Sequence, residues 1–278
     1  MPDFTTSDGL RLFHTDTGTG VPILCLSGLT RNSTDFDYVA PHLKDARMIA
    51  LDYRGRGRSD WADAESYTVE TEARDVLELL DHLGLERVAI LGTSRGGLIA
   101  MALSRIAHPR LLGVMLNDIG PEIAPGGMDA IRAYVGRRPN ARTLSEAAMT
   151  RADLIPGFDD VPHARWEEEA ARHYIETTDG LDLTYDPNLA RAIAARDGPM
   201  PDFWPGFDAI APLPLAAVRG ANSNILTRET FEAMRARRPD MIAAEIPGRG
   251  HVPFLDEPDA LAVLDAWKSC FRQEYFPT

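Results

Sequence analysis

Residues 87–97 read RVAILGTSRGG. An aliphatic run of strand-forming residues leads into Gly92-Thr93-Ser94-Arg95-Gly96, and a helical pattern runs out of it toward a stop near Pro109. A buried strand turning sharply into a helix is the frame that a G-x-S-x-G nucleophile elbow requires. Such a turn strains the backbone at Ser94, and glycine at 92 and 96 removes side chains that would collide around it. The competing reading is a serine that caps the helix in a tight loop. The strand before it and the helix after it favour the elbow.

Outward from this stretch the same alternation repeats. Val21–Leu26 (VPILCL), 47–51 (RMIAL), 111–116 (LLGVML), 215–218 and 241–246 are short apolar runs. Residues 67–83, 227–237 and 258–271 have helical spacing. Short apolar runs separated by helices predict βαβ units, hence a parallel sheet with both faces covered. Ligands of such sheets bind beyond the carboxyl ends of the strands, which directs attention to Gly28, Asp52, Ser94 and Asp118. From 119 to 208 the strand signal fades, proline becomes frequent, and 128–135 and 163–175 read as helices. The expectation is a helical insertion between a core of 1–118 and 209–278.

The chain has 278 residues, enough to bury a core without disulfides. Its net charge is −13, from 29 basic and 42 acidic residues. That excess opposes a nucleic-acid groove or an anionic membrane surface. The two cysteines are far apart, and Cys25 lies inside an apolar run as an inert thiol of a reducing compartment. The N-terminus is polar and no stretch nears membrane-spanning length. A cytoplasmic protein acting on a small molecule is expected.

A nucleophilic serine needs a base. Of the seven histidines, His251 alone follows the last apolar run, in GRGHVPFLDEP, where a loop can carry it to Ser94. An oxyanion hole needs two backbone N–H groups. Arg95 supplies one candidate and Leu29, in the loop bent by Gly28, the other; a plain Ser27-Gly28 turn is the alternative. No metal-ligand spacing and no G-x-G-x-x-G at a strand–helix junction is visible, so no cofactor and no metal is expected.

Taken in order, LSGLTRNSTDF, DYRGRGRSD, GTSRGG, RGANSN and GRGHVPFLDEP resemble the α/β-hydrolase superfamily, in the subgroup with a cap after the sixth strand. The resemblance implies an α/β fold, a mostly parallel eight-stranded sheet flanked by helices, and a Ser-His-acid triad. It also implies that Asp52, Arg54, Gly55, Gly57 and Ser59 shape a turn. Ser27 departs from the histidine that many members carry. So does the acid: where the family's R-G-x-x-S-D places Asp, this chain has Asn224. Haloalkane dehalogenases place theirs at the end of the sixth strand, which here is Asp118. Asp118 is therefore expected to orient His251. The alternatives are that it braces the cap, or that Asn224 serves with reduced turnover.

These residues predict a serine hydrolase cleaving an apolar carboxylic ester or related acyl bond. The alternatives are a carbon–carbon bond hydrolase, disfavoured by Val252 where an aromatic residue is common, and a non-catalytic binding relative. Dehalogenase and epoxide-hydrolase chemistry needs an Asp nucleophile, not Ser94. The aromatic residues Tyr134, Phe158, Trp166, Tyr174, Phe203, Trp204 and Phe207 are expected mostly to pack the cap, with a minority at the pocket. Arg95 either attracts a substrate carboxylate or sits ion-paired.

Overall fold

The computed structural model describes residues 3–194 and 201–275. Its centre is an eight-stranded sheet of β1 (Asp3–Thr5), β2 (Arg11–Gly18), β3 (Val21–Leu26), β4 (Ala46–Leu51), β5 (Val88–Thr93), β6 (Leu111–Asn117), β9 (Leu215–Gly220) and β10 (Ile242–Ile246). The spatial order is β1-β2-β4-β3-β5-β6-β9-β10. From β4 to β10 every pairing is parallel, while β1 and β2 pair antiparallel on the outside. The sheet is thus eight-stranded and mostly parallel, flanked by helices.

Period-two alternation sorts the buried strand residues onto two faces. Leu24, Leu26, Ile90, Val114 and Leu116 join α1 (Val69–His82), α2 (Arg95–Ile106) and α8 (Arg228–Arg237) on one side. Ile23, Cys25, Leu91, Met115 and Val218 join α9 (Pro258–Tyr275), through Leu264, Trp267 and Phe271, on the other. Helix α1 follows from its sequence: Thr68 caps it by accepting the Thr71 N–H, a contact worth about 1 kcal/mol, and Val69, Ala73, Val76 and Leu80 form its buried stripe.

Between β6 and β9 lie α3 (Pro125–Tyr134), α4 (Leu144–Leu154), α5 (His163–His173), a hairpin of β7 (Tyr174–Thr177) and β8 (Gly180–Leu183), α6 (Leu189–Ala194) and α7 (Trp204–Asp208). Two features differ from the sequence expectation of a helical insertion. The helix expected through 175 stops at His173, because Tyr174 and Ile175 pair with Leu183 and Asp182, and Gly180 turns the chain at φ +119°. Helix α7 packs on α2, with Gly206 pressed against Met101. Among the described residues, no helix is long and apolar enough to cross a membrane.

Candidate active site

Strand β5 sits between β3 and β6, so the residue that leaves its carboxyl end stands at the middle of the sheet edge. That residue is Ser94, held at φ +50° and ψ −112°. The conformation costs of order 1–3 kcal/mol and persists only where neighbours enforce it. They do so by close packing. A Cβ on Gly96 would meet the Leu26 carbonyl oxygen at 2.0 Å, and one on Gly92 would meet the Gly96 carbonyl carbon at 2.7 Å. The Ser94 N–H donates to the Asn117 carbonyl at the end of β6.

The next residue, Asp118, is also in the left-handed region, at φ +53°. Its N–H continues the ladder to Val218, and its side chain is wholly buried. Three donors converge on that carboxylate. Gly220 N–H reaches Oδ1 at 2.7 Å; the Ser223 hydroxyl and His251 Nδ1 reach Oδ2 at 2.6 and 2.7 Å. A carboxylate only accepts, so Nδ1 carries the ring proton and Nε2 is left with a lone pair. Nε2 lies 2.9 Å from Ser94 Oγ. Ser94, His251 and Asp118 therefore form one hydrogen-bonded chain from three loops. Asn224 is exposed, and the contacts of His251 run to Asp118 and Ser94 instead. The RGANSN loop still takes part through Ser223, which the sequence reading passed over. Asn117 was also passed over: its amide donates to Thr93 Oγ1 and to the Pro253 carbonyl, tying β5, β6 and the His251 loop together.

The loop after β3 lies against Ser94. A Cβ on Gly28 would stand 3.9 Å from that of Ser94, and Gly96 N–H donates to the Ser27 carbonyl. The Leu29 carbonyl accepts from buried Arg56 Nε at 2.9 Å. Among the described residues, the N–H groups of Leu29 and Arg95 have no acceptor outside regular helix or strand pairing. Arg95 is one of the first four residues of its helix, whose N–H groups find no partner within it.

The Arg95 guanidinium is ion-paired rather than free. Nε donates to wholly buried Glu72 at 2.5 Å and Nη2 to the Tyr67 carbonyl, and Glu72 also holds Arg56 at 2.8 Å. The Asp52 turn is structural as expected: its carboxylate accepts Ser33 and Arg58 N–H, and Arg54 grips Asp75 with two bonds of 2.7 Å.

A cavity of about 560 Å³ opens beside Ser94. Leu29, Leu98 and Ile119 from the core meet Met128, Ile131 and Ile193 from the overlying segment. Its described walls are mainly aliphatic, with Tyr67 among them; none of the seven aromatic residues named above lines it. Phe158 and Trp166 pack instead on Phe254, and Phe207 is buried in the main core. Behind Leu29, Arg31 spans Asp35 at 2.9 Å and Glu169 of α5 at 3.0 Å. Burial pushes the Asp35 carboxyl up to about 6, against Arg31. Burial also acts to raise Glu169, but Arg31 and Arg151 outweigh it and hold that carboxyl below its ordinary value. Helix α5 is further fixed through Arg172 on the Tyr38 hydroxyl and Arg165 on Asp256.

Residues 23–264 match the model of the alpha/beta hydrolase family, and the chain belongs to that family. It is 37% identical over 255 residues to a 3-hydroxybutyrate-oligomer hydrolase of Cupriavidus necator, covering 87% of this chain and 86% of the relative. It is 28% identical to haloalkane dehalogenase 2 of Mycobacterium tuberculosis, covering 93% and 91%. Among solved structures it is similar to an alpha/beta hydrolase from Novosphingobium aromaticivorans, with TM-score 0.90, 37% identity and 96% coverage of both chains. The protein is a hydrolase.

Proposed function

We propose that this hydrolase cleaves short aliphatic carboxylic esters through a covalent acyl-enzyme. Ser94 is the nucleophile, His251 the general base and then acid, and Asp118 the group that orients His251. Ser94 Oγ attacks the ester carbonyl carbon while its proton passes to His251 Nε2. The Leu29 and Arg95 N–H groups hold the oxyanion. The ester C–O bond breaks and His251 returns the proton to the departing alcohol. Water then adds to the acyl carbon, gives a proton to His251, and releases the acid and Ser94. Each step is proton transfer or carbonyl addition, so the scheme needs no metal or redox group.

The observation that carries this reading is the unbroken contact from Ser94 Oγ through His251 to buried Asp118, at 2.9 and 2.7 Å, with Ser94 facing a cavity. A non-catalytic scaffold has no use for a strained serine and a tautomer-fixed histidine together. The 37% identical relative is named for acting on oligomers of a short hydroxy acid, and the mainly aliphatic cavity suits such chains. A dehalogenase reading fails on Ser94 where that chemistry uses Asp. The substrate is a small molecule; neither nucleic acid nor membrane is part of the proposal.

The test is hydrolysis of 4-nitrophenyl butyrate together with intact-mass labelling by a fluorophosphonate. The native protein should turn over the ester and gain one adduct. Ser94→Ala should lose at least ~10³ of kcat and all of the adduct. Equal turnover in both proteins would overturn the assignment.

A further inference from the structure

The charge around the cavity runs against the charge of the chain. The whole sequence carries −13, yet among the described residues the lining holds Arg95, Arg132 and Arg191 and a single acidic residue, Glu65. Arg95 is not available to a ligand. Turning it away would leave Glu72, at zero exposure, short of one of its two cations.

Arg132 and Arg191 stand differently. Arg132 pairs with Asp129 of its own helix at 3.2 Å, and that carboxylate is 77% exposed. Arg191, on α6, reaches Glu65 across the mouth at 3.9 Å, with side chains 71% and 79% exposed. Such exposed pairs hold weakly and are readily exchanged for a better acceptor. The helices that carry the two arginines pack on each other. Their inward neighbours, Met128, Ile131 and Ile193, are apolar walls of the same cavity. A ligand lying along those walls from Ser94 therefore meets aliphatic surface first and cationic forks at the lining's edge. The forks match a planar carboxylate, and they give an anion a favourable approach to a body that otherwise repels it.

Resting on the serine-hydrolase reading above, we propose that the substrates are aliphatic esters whose far end carries a free carboxylate, held by Arg132 and Arg191.

The experiment compares two esters with the same number of acyl carbons. One is the 4-nitrophenyl monoester of glutaric acid, ending in a carboxylate; the other is 4-nitrophenyl valerate, ending in a methyl group. The native protein should prefer the glutarate ester, chiefly in KM. The ratio of the two kcat/KM values should fall with added salt, and about tenfold in Arg132→Gln/Arg191→Gln. A native preference for valerate, or a ratio that survives the double substitution, overturns the carboxylate assignment and leaves the nucleophile assignment intact. If neither ester is cleaved, the nucleophile assignment fails instead. Calorimetric binding of glutarate to the native protein then decides the carboxylate-holding role of Arg132 and Arg191 alone: binding that the double substitution abolishes upholds that role, and no binding to the native protein overturns it.

Discussion

Replacing Asp118 by Asn changes one atom of a buried group and should nearly abolish turnover. Three donors point at that carboxylate: Gly220 N–H, Ser223 O–H and His251 Nδ1. An amide offers one acceptor oxygen and one donor nitrogen in place of two acceptors. If the oxygen stays on Gly220, the NH₂ faces Nδ1 and drives the ring proton to Nε2, where it can no longer take the proton of Ser94. If the oxygen turns to His251, the NH₂ meets the Gly220 N–H head-on in a site closed to bulk solvent. The first outcome disables the base, the second breaks the Gly220 contact, and in both the imidazolium loses its counter-ion. The same exchange in a serine protease triad lowers kcat by about 10⁴, or about 5 kcal/mol of barrier. A loss of 10³–10⁵ in kcat with little change in KM is expected, measured on 4-nitrophenyl butyrate with circular dichroism showing an unchanged fold. Asn224→Asp, made in parallel, should not restore it, since residue 224 is exposed. Asp118→Asn within tenfold of native turnover would refute the orienting role.

Further outcomes follow from close contacts and charge. Gly96→Ala should fail to fold or lose several kcal/mol in denaturant unfolding, because its methyl group would sit 2.0 Å from the Leu26 carbonyl oxygen. Arg54 holds the Asp8 carboxyl far below its ordinary 3.8, so Asp8 stabilises the fold above that pH and loses the contribution as pH falls from there to the depressed value. The Tm gap between native and Asp8→Asn should accordingly be widest near neutrality and narrow below about pH 4; a gap that widens in acid refutes this. Burial pushes the Cys25 thiol far up while Cys270 is exposed. A thiol reagent should titrate one group per native chain and two after denaturation.

The fold was legible where physics acts locally. Strands 21–26 and 111–116 are buried along their whole length, so they read as apolar runs, and the Ser94 turn demanded glycine on both sides. Strand β2, RLFHTDTG, escaped because it is only half covered: Leu12, Phe13 and His14 are buried while Asp16 and Thr17 face water. The hairpin β7–β8 escaped for the same reason, with mostly exposed residues on β7. In the site, Ser94, His251 and Asp118 could be named from their places after strands. Ser223 could not, because its part depends on meeting a carboxylate 105 residues away. The signal was present: a loop that has lost its own acid but keeps the serine beside that position. The mainly aliphatic character of the cavity was unreadable, since Phe158 and Trp166 turn to Phe254 and Phe207 to the main core.

The segment above Ser94 is fastened unevenly. Along α5 it is riveted by Glu169 on Arg31, Arg172 on Tyr38 and Arg165 on Asp256, at 2.5 to 3.0 Å. At α6, Leu189 is fully buried and Asp186 just before it accepts from the Tyr67 hydroxyl at 2.6 Å, but further on Arg191 meets Glu65 in a solvent-washed pair 3.9 Å apart. Amide exchange should accordingly run faster at the Arg191 end of α6 than along α5, and Glu65→Gln should quicken the former without touching the latter.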